Sequence, residues 1–205
     1  MGYHRAGFDV VGVDIAAQPR YPFTFYQADA FSFLAELQAD LDFYDAVHAS
    51  PPCRDHTVYT SRWGVEGSGY ALPAIREALI DTDIPWVIEN VPGADMRADY
   101  RLCGCMFNLP GLRRKRLFET SWCERFEPPP CRHTSPAVTV TGHSGGSSRR
   151  DGTAGRGTKS AWCAAMGIDW MTNREMSQAV PPAYTEFVGR ELLAVLACNR
   201  RQAAG

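Results

Sequence analysis

The stretch Tyr44-Asp45-Ala46-Val47-His48-Ala49-Ser50-Pro51-Pro52-Cys53 decides how the chain is read. Tyr44 to Ala49 predicts a short strand, and Ser50-Pro51-Pro52 stops it, because proline donates no backbone hydrogen bond and restricts the residue before it. Upstream, residues 31–40 carry apolar positions at helical spacing. Val10-Val11-Gly12-Val13-Asp14-Ile15 is an earlier β-branched run that closes on an acid, and residues 2–7 read as the tail of a helix capped by glycine. Downstream, residues 70–80 read as helix, and Pro85-Trp86-Val87-Ile88 as a buried strand that ends at Glu89-Asn90 before Pro92-Gly93 breaks the chain. This alternation predicts a three-layered α/β fold on a mostly parallel sheet. Ligands of open α/β sheets bind at the carboxyl ends of the strands. Asp14, Asp29, Cys53 and Glu89 all fall at such ends or in the loops that follow.

After about residue 120 the pattern loosens into Pro128-Pro129-Pro130 and then residues 142–159, dominated by Gly, Ser and Arg. Order returns over residues 183–200, where Phe187, Val188, Leu192, Val195 and Leu196 share one helical face behind Pro181-Pro182. The expected organisation is a core over residues 1–120, a short basic insert over 121–165 and a helical return over 166–205. With 205 residues, 45% hydrophobic and 21% charged, the composition is that of a folded globular domain, not a disordered or fibrous chain. No apolar run approaches the ~18 residues of a membrane helix, and the start lacks the apolar core of a secretory signal. A cytoplasmic, non-membrane, monomeric protein is expected. Seven cysteines, odd in number and without repeated spacing, point to free thiols in a reducing compartment.

The net charge of −2 is unevenly spread. Residues 113–159 hold ten Lys/Arg against four Asp/Glu, an excess of six positive charges that leaves the remainder at −8. Such a patch suits phosphates, with Arg149, Arg150, Arg156 and Lys159 as the nucleic-acid-binding candidates. Cys53 has a nucleophile's setting: it follows a Pro-Pro turn at a strand end, where backbone N–H dipoles favour the thiolate. Cys103, Cys105, Cys123, Cys131 and His133 include soft metal ligands, but their spacing matches no common zinc finger, so they are read as core thiols and no metal is expected. Trp162 and Asp169-Trp170 are read as core and not as base-stacking groups.

Ser50-Pro51-Pro52-Cys53, then Glu89-Asn90-Val91, then Arg114-Lys115-Arg116 resembles the cytosine-5 DNA methyltransferase family in motif content, order and spacing. The resemblance extends to Asp14 and Asp29 and to Gln178-Ala179-Val180-Pro181-Pro182, and covers most of residues 1–120 and 166–197. It implies a Rossmann-like, S-adenosylmethionine-dependent fold with a small irregular target-recognition insert. It also implies catalytic roles for Cys53, Glu89, Asn90, Arg114 and Arg116, and cofactor contacts from Asp14, Ile15, Asp29, Ala30, Pro51, Gln178, Ala179 and Val180. Cys53 would add to carbon 6 of the base, and Glu89, its pKa raised by burial, would hold ring nitrogen 3 and the exocyclic amine. One of Arg114 and Arg116 would reach the base carbonyl and the other support the Cys53 loop. The partner would be double-stranded DNA with its cytosine flipped into the pocket, in a setting such as restriction–modification.

The chain departs from the family pattern in two places. Only 13 residues precede Asp14, where a first strand and a Gly-rich turn are expected, so Met1 to His4 reads as the interior of the first helix, and either a true start upstream or a degraded gene is expected. Leu112 stands where the family has glutamine. The short insert and missing strand leave two alternatives: a catalytically inactive DNA-binding remnant, or the same chemistry on RNA or a free pyrimidine nucleotide.

Overall fold

The computed structural model describes residues 1–37, 43–52, 71–122, 126–140 and 158–203. In chain order the described elements are α1 (Gly2–Ala6), β1 (Val11–Asp14), β2 (Thr24–Gln27), α2 (Ala30–Leu37), β3 (Val47–Ala49), α3 (Ala71–Ile80), β4 (Trp86–Asn90), β5 (Tyr100–Leu102), a 3-10 turn (Gly104–Phe107), β6 (Arg116–Thr120), α4 (Lys159–Met166), α5 (Asn173–Gln178) and α6 (Pro182–Ala203). They fall into two compact units, each built from separate stretches of chain. A sheet unit comprises Val11–Arg101, Arg116–Arg125 and Val195–Gly205, and a helical unit comprises Met1–Val10, Leu102–Lys115 and Phe126–Ala194.

In the sheet unit β1 and β2 pair in parallel, with Val11 opposite Thr24 and Asp14 opposite Gln27. A second sheet has the order β3-β4-β6-β5. Its β3 and β4 are parallel, Val47 opposite Trp86 and Ala49 opposite Ile88. The fold is therefore mixed α/β, as the alternation predicts, but the expectation of a mostly parallel sheet is overturned: β6 runs antiparallel to β4, with Asn90 opposite Leu117 and Val87 opposite Thr120. The reason lies in the connection. A parallel return needs a crossover, usually a helix, whereas the segment between β4 and β6 holds only β5 and the 3-10 turn. The chain comes back along β4 in the opposite sense.

All five residues of β4 are buried, which explains why it reads as a continuous apolar run and not as an alternation. Leu72, Ile75 and Leu79 line one face of α3 and pack with Leu34 of α2 and with Trp86 and Ile88 of β4. Pro73 is tolerated because it lies in the first turn of α3, where its missing N–H has no helical partner to lose. Polar clamps complete the unit. Arg76 donates to Glu119 from Nε at 3.1 Å and from Nη2 at 2.9 Å, and Glu119 Oε2 also accepts the Arg97 N–H at 3.2 Å. Asp99 accepts the Thr120 N–H at 2.8 Å.

In the helical unit α1 ends as expected at Gly7, whose φ of 112° places it in the left-handed region and lets its N–H reach the Tyr3 and His4 carbonyls. A second core gathers Trp162, Ala165 and Met166 of α4 with Ile168, Met176, Leu112 and Val140. Trp162 is fully buried, as its core reading requires. Thr158 caps α4, accepting the Ala161 N–H at 3.2 Å. Thr172 and Glu175 form a capping box on α5, in which Thr172 Oγ1 accepts the Glu175 N–H and Glu175 Oε2 accepts the Thr172 N–H. The C-terminal helix expected over residues 183–200 is α6. No described helix is long and apolar enough to cross a membrane.

Candidate active site and a thiol–imidazole cluster

Cys53 lies outside the described residues, as do Arg149, Arg150 and Arg156. The turn that leads to Cys53 is described, and so is the strand end it meets. Glu89 and Asn90 close β4, 5% and 1% exposed. The Asn90 amide donates from Nδ2 to the Pro51 carbonyl at 3.2 Å, and its Oδ1 accepts the Val91 N–H at 2.8 Å. One side chain thus ties the Ser50-Pro51-Pro52 turn to the end of β4 and fixes the direction in which the chain leaves that strand. Arg116 opens β6, the antiparallel neighbour of β4, and its Nε lies 2.7 Å from Glu89 Oε1 with both side chains largely enclosed. Glu89 is buried, with a guanidinium as its partner.

On β3, His48 sits two residues before Ser50, with Nε2 3.1 Å from the Ser50 hydroxyl and the ring edge-on to Phe118 at 6.3 Å. Burial pulls its pKa down to about 4, so the ring is neutral at physiological pH.

The expected cofactor acids occupy neighbouring loops of the sheet unit. Asp14 ends β1, where its Oδ1 accepts the Ala16 N–H at 2.7 Å and its Oδ2 the Gln18 amide at 3.3 Å. Ile15 beside it is 73% exposed. The loops after β1 and β2 are joined by Ala28 N–H to the Asp14 carbonyl at 3.1 Å and Gln27 Nε2 to the Ile15 carbonyl at 3.1 Å. Asp29 precedes α2, whose first residue is Ala30, and its Oδ1 accepts the Ser32 N–H at 3.0 Å. That N–H holds the exposed Asp29 carboxyl below the usual carboxylate range.

Arg114, Gln178, Ala179 and Val180 belong to the helical unit. Arg114 donates to the Val140 carbonyl at 2.8 Å and to the Ser177 carbonyl at 2.6 Å, while its own carbonyl accepts the Tyr184 hydroxyl at 2.7 Å. It clamps the segment leading into Gln178-Ala179-Val180. Lys159 is an exposed residue at the start of α4.

The same unit holds an arrangement that the sequence reading treated as core. Cys103, Cys105, Cys131 and His133 place their ligand atoms within 4.8 Å of one another. Cys103 Sγ and His133 Nε2 are 3.4 Å apart, Cys131 Sγ and His133 Nε2 3.4 Å, and the Cys105 and Cys131 sulfurs 3.3 Å. Only Cys103 is buried; Cys105 is half-buried and Cys131 exposed, so the core-thiol reading fails for those two, which sit on a loop surface. The signal legible in the sequence is the pairing of Cys103-x-Cys105 with Cys131-x-His133, which the single intervening residue in each pair sets apart from common zinc motifs. Burial raises the Cys103 thiol pKa. Cys131 is pushed up to about 12, chiefly by its hydrogen bond with Cys105. A pocket of about 240 Å³ opens beside the cluster, lined by Cys105 and His133 together with Arg113 and Arg132.

Among known proteins, the chain matches no protein-family model and no curated sequence.

Proposed function

We propose that this chain is a cytosine-5 DNA methyltransferase that uses S-adenosylmethionine. The observation that carries the reading is the Asn90 bond to the Pro51 carbonyl beside the Glu89–Arg116 pair. It ties the turn that precedes Cys53 to the end of the strand that carries the buried Glu89, and thiolate addition to a pyrimidine calls for a thiol and an acid on such neighbouring segments. The strand pairing adds support. The parallel pairs β1-β2 and β3-β4 favour a Rossmann-like arrangement. Asp14 and Asp29 on joined loops, with exposed Ile15 between them, suit a ribose, an adenine amine and an adenine face.

In this reading the Cys53 thiolate forms a bond to carbon 6 of a flipped cytosine and drives electrons toward carbon 5. Glu89 acts in its protonated form, giving its proton to ring nitrogen 3 as the electrons move into the ring and accepting from the exocyclic amine, and Arg116 positions Glu89. Carbon 5 would then bond to the methyl that bound S-adenosylmethionine supplies, with S-adenosylhomocysteine as the leaving group. Loss of the carbon-5 proton to a base then expels Cys53 as thiolate. Lys159, with Arg149, Arg150 and Arg156, would follow DNA phosphates and make binding fall steeply with salt. Methyl transfer from labelled S-adenosylmethionine to unmethylated DNA tests the proposal, with Cys53→Ser expected to abolish transfer and Asn90→Ala to reduce it. The second reading, a DNA-binding remnant without cofactor, is favoured by the separation of β1-β2 from the other sheet. Calorimetric titration with S-adenosylmethionine separates the two.

A further inference from the structure

We propose that Cys103, Cys105, Cys131 and His133 form a structural zinc site that clips together two loops of the helical unit. Zinc bound by thiolate at about 2.3 Å and imidazole at about 2.0–2.1 Å in a tetrahedron requires ligand atoms about 3.6–3.8 Å apart. The four atoms here all lie within 4.8 Å, with three of the separations at 3.3–3.4 Å. To reach the tetrahedron the three short separations lengthen by about 0.2–0.5 Å and the longest contracts, shifts within the range of small rotamer changes. A disulfide is a different geometry: its sulfurs stand about 2.05 Å apart, and the Cys105 and Cys131 sulfurs are 3.3 Å apart.

The chemistry of the set selects the ion. Three thiolates and one imidazole are soft and borderline ligands, which suit zinc and not magnesium or calcium. Four protein ligands leave no open position, the mark of a structural and not a catalytic site. Binding releases the protons of the three thiols, so it weakens as pH falls.

The backbone around the cluster is already arranged for it. Cys103 and Cys105 flank the start of the 3-10 turn, which the Met106 N–H to Cys103 carbonyl bond closes at 3.0 Å. Cys131 and His133 lie on the segment 126–140, which has no helix or paired strand beyond one isolated bridge from Val138 to Leu112. Val138 N–H donates to the Gly111 carbonyl at 2.9 Å, and Arg113 Nη2 to the Ser135 carbonyl at 3.3 Å. Gly111, at φ 68°, has Pro136 and Val138 where a side chain would stand. A segment with so few regular hydrogen bonds gains most from a metal cross-link. The same segment includes Val140, whose carbonyl accepts from Arg114, so the clip steadies the stretch that this arginine grips. The proposal does not depend on the methyltransferase reading.

The test is metal analysis of the full chain purified under reducing conditions without added metal, followed by cobalt(II) substitution. The expected result is about one zinc per chain, and thiolate-to-cobalt charge-transfer and tetrahedral d–d bands after exchange. Cys131→Ser and His133→Ala should lose most of the bound zinc, while Cys163→Ala, outside the cluster, keeps it. If the variants fail to fold, the cobalt spectrum of the unaltered protein decides. A folded protein without zinc whose cobalt spectrum is octahedral overturns the proposal, as does a Cys105–Cys131 disulfide in metal-free folded protein.

Discussion

In the sheet unit, order comes from apolar faces and paired charges: α3 lays Leu72, Ile75 and Leu79 on β4, and Glu119 gathers Arg76 and the Arg97 N–H beside it. In the helical unit, a core around Trp162 is bordered by irregular chain held at single points, by the Arg114 clamp on two carbonyls and by the thiol–imidazole cluster. The contrast shows two ways to hold a loop. Where strands and helices supply a continuous apolar surface, a buried carboxylate such as Glu89 is positioned by the strand itself. Where they do not, side chains that reach backbone carbonyls, or soft ligands that converge on one point, do the positioning.

Four perturbations sharpen or break this contrast. Trp162→Ala removes the largest fully buried side chain of the helical core, and a loss of about 3–5 kcal/mol is expected. Hydrogen exchange should show the helical unit opening first; equal loss of protection across β4 would contradict a division of labour between the units. A pH effect of about 2 kcal/mol is expected from His48 in the sheet unit, less than its full shift would give because the ring is only half-buried. The folded pKa of about 4 lies below the unfolded value near 6.5, so the unfolded chain takes up the proton first. Stability is therefore full above about pH 6.5 and declines as pH falls toward 4, and a His48→Gln chain should show a flatter urea midpoint across that window. Glu119→Ala leaves Arg76 without its carboxylate partner, and about 2 kcal/mol is expected, moderated because Arg76 is 26% exposed. Denaturant midpoints should move with unchanged slope. The smallest effect belongs to Thr172→Ala, which removes the capping-box oxygen of α5 at a cost of about 1 kcal/mol, read as a small shift in melting temperature.

The sheet unit was the more legible in the sequence because its signals are local. Val11 to Asp14, Trp86 to Asn90 and the α3 stripe announce themselves through β-branched runs and helical spacing. What escaped was β2 and the β5–β6 return: Tyr100-Arg101-Leu102 is only three residues long, and the antiparallel pairing of β6 with β4 is a tertiary choice that no local pattern encodes. The candidate site followed the same division. Glu89 and Asn90 were found from their place at a strand end. The Asn90 contact with Pro51 and the Arg116 contact with Glu89 join residues 39 and 27 positions apart and needed the fold. Cys105 and Cys131 are 26 residues apart, so their convergence was visible only once the segment 126–140 lay against the 3-10 turn.

The central claim is that the Glu89–Asn90 strand end serves a nucleophilic thiolate, and its most direct measurement is trapping of the covalent adduct. The chain is incubated with S-adenosylmethionine and DNA carrying 5-fluorocytosine, whose carbon-5 fluorine cannot leave as a proton and so blocks release of the thiolate. The account predicts a denaturation-resistant protein–DNA complex that Cys53→Ser abolishes and Asn90→Ala diminishes. A complex that survives Cys53→Ser, or none with a protein that binds both DNA and S-adenosylmethionine, would contradict it.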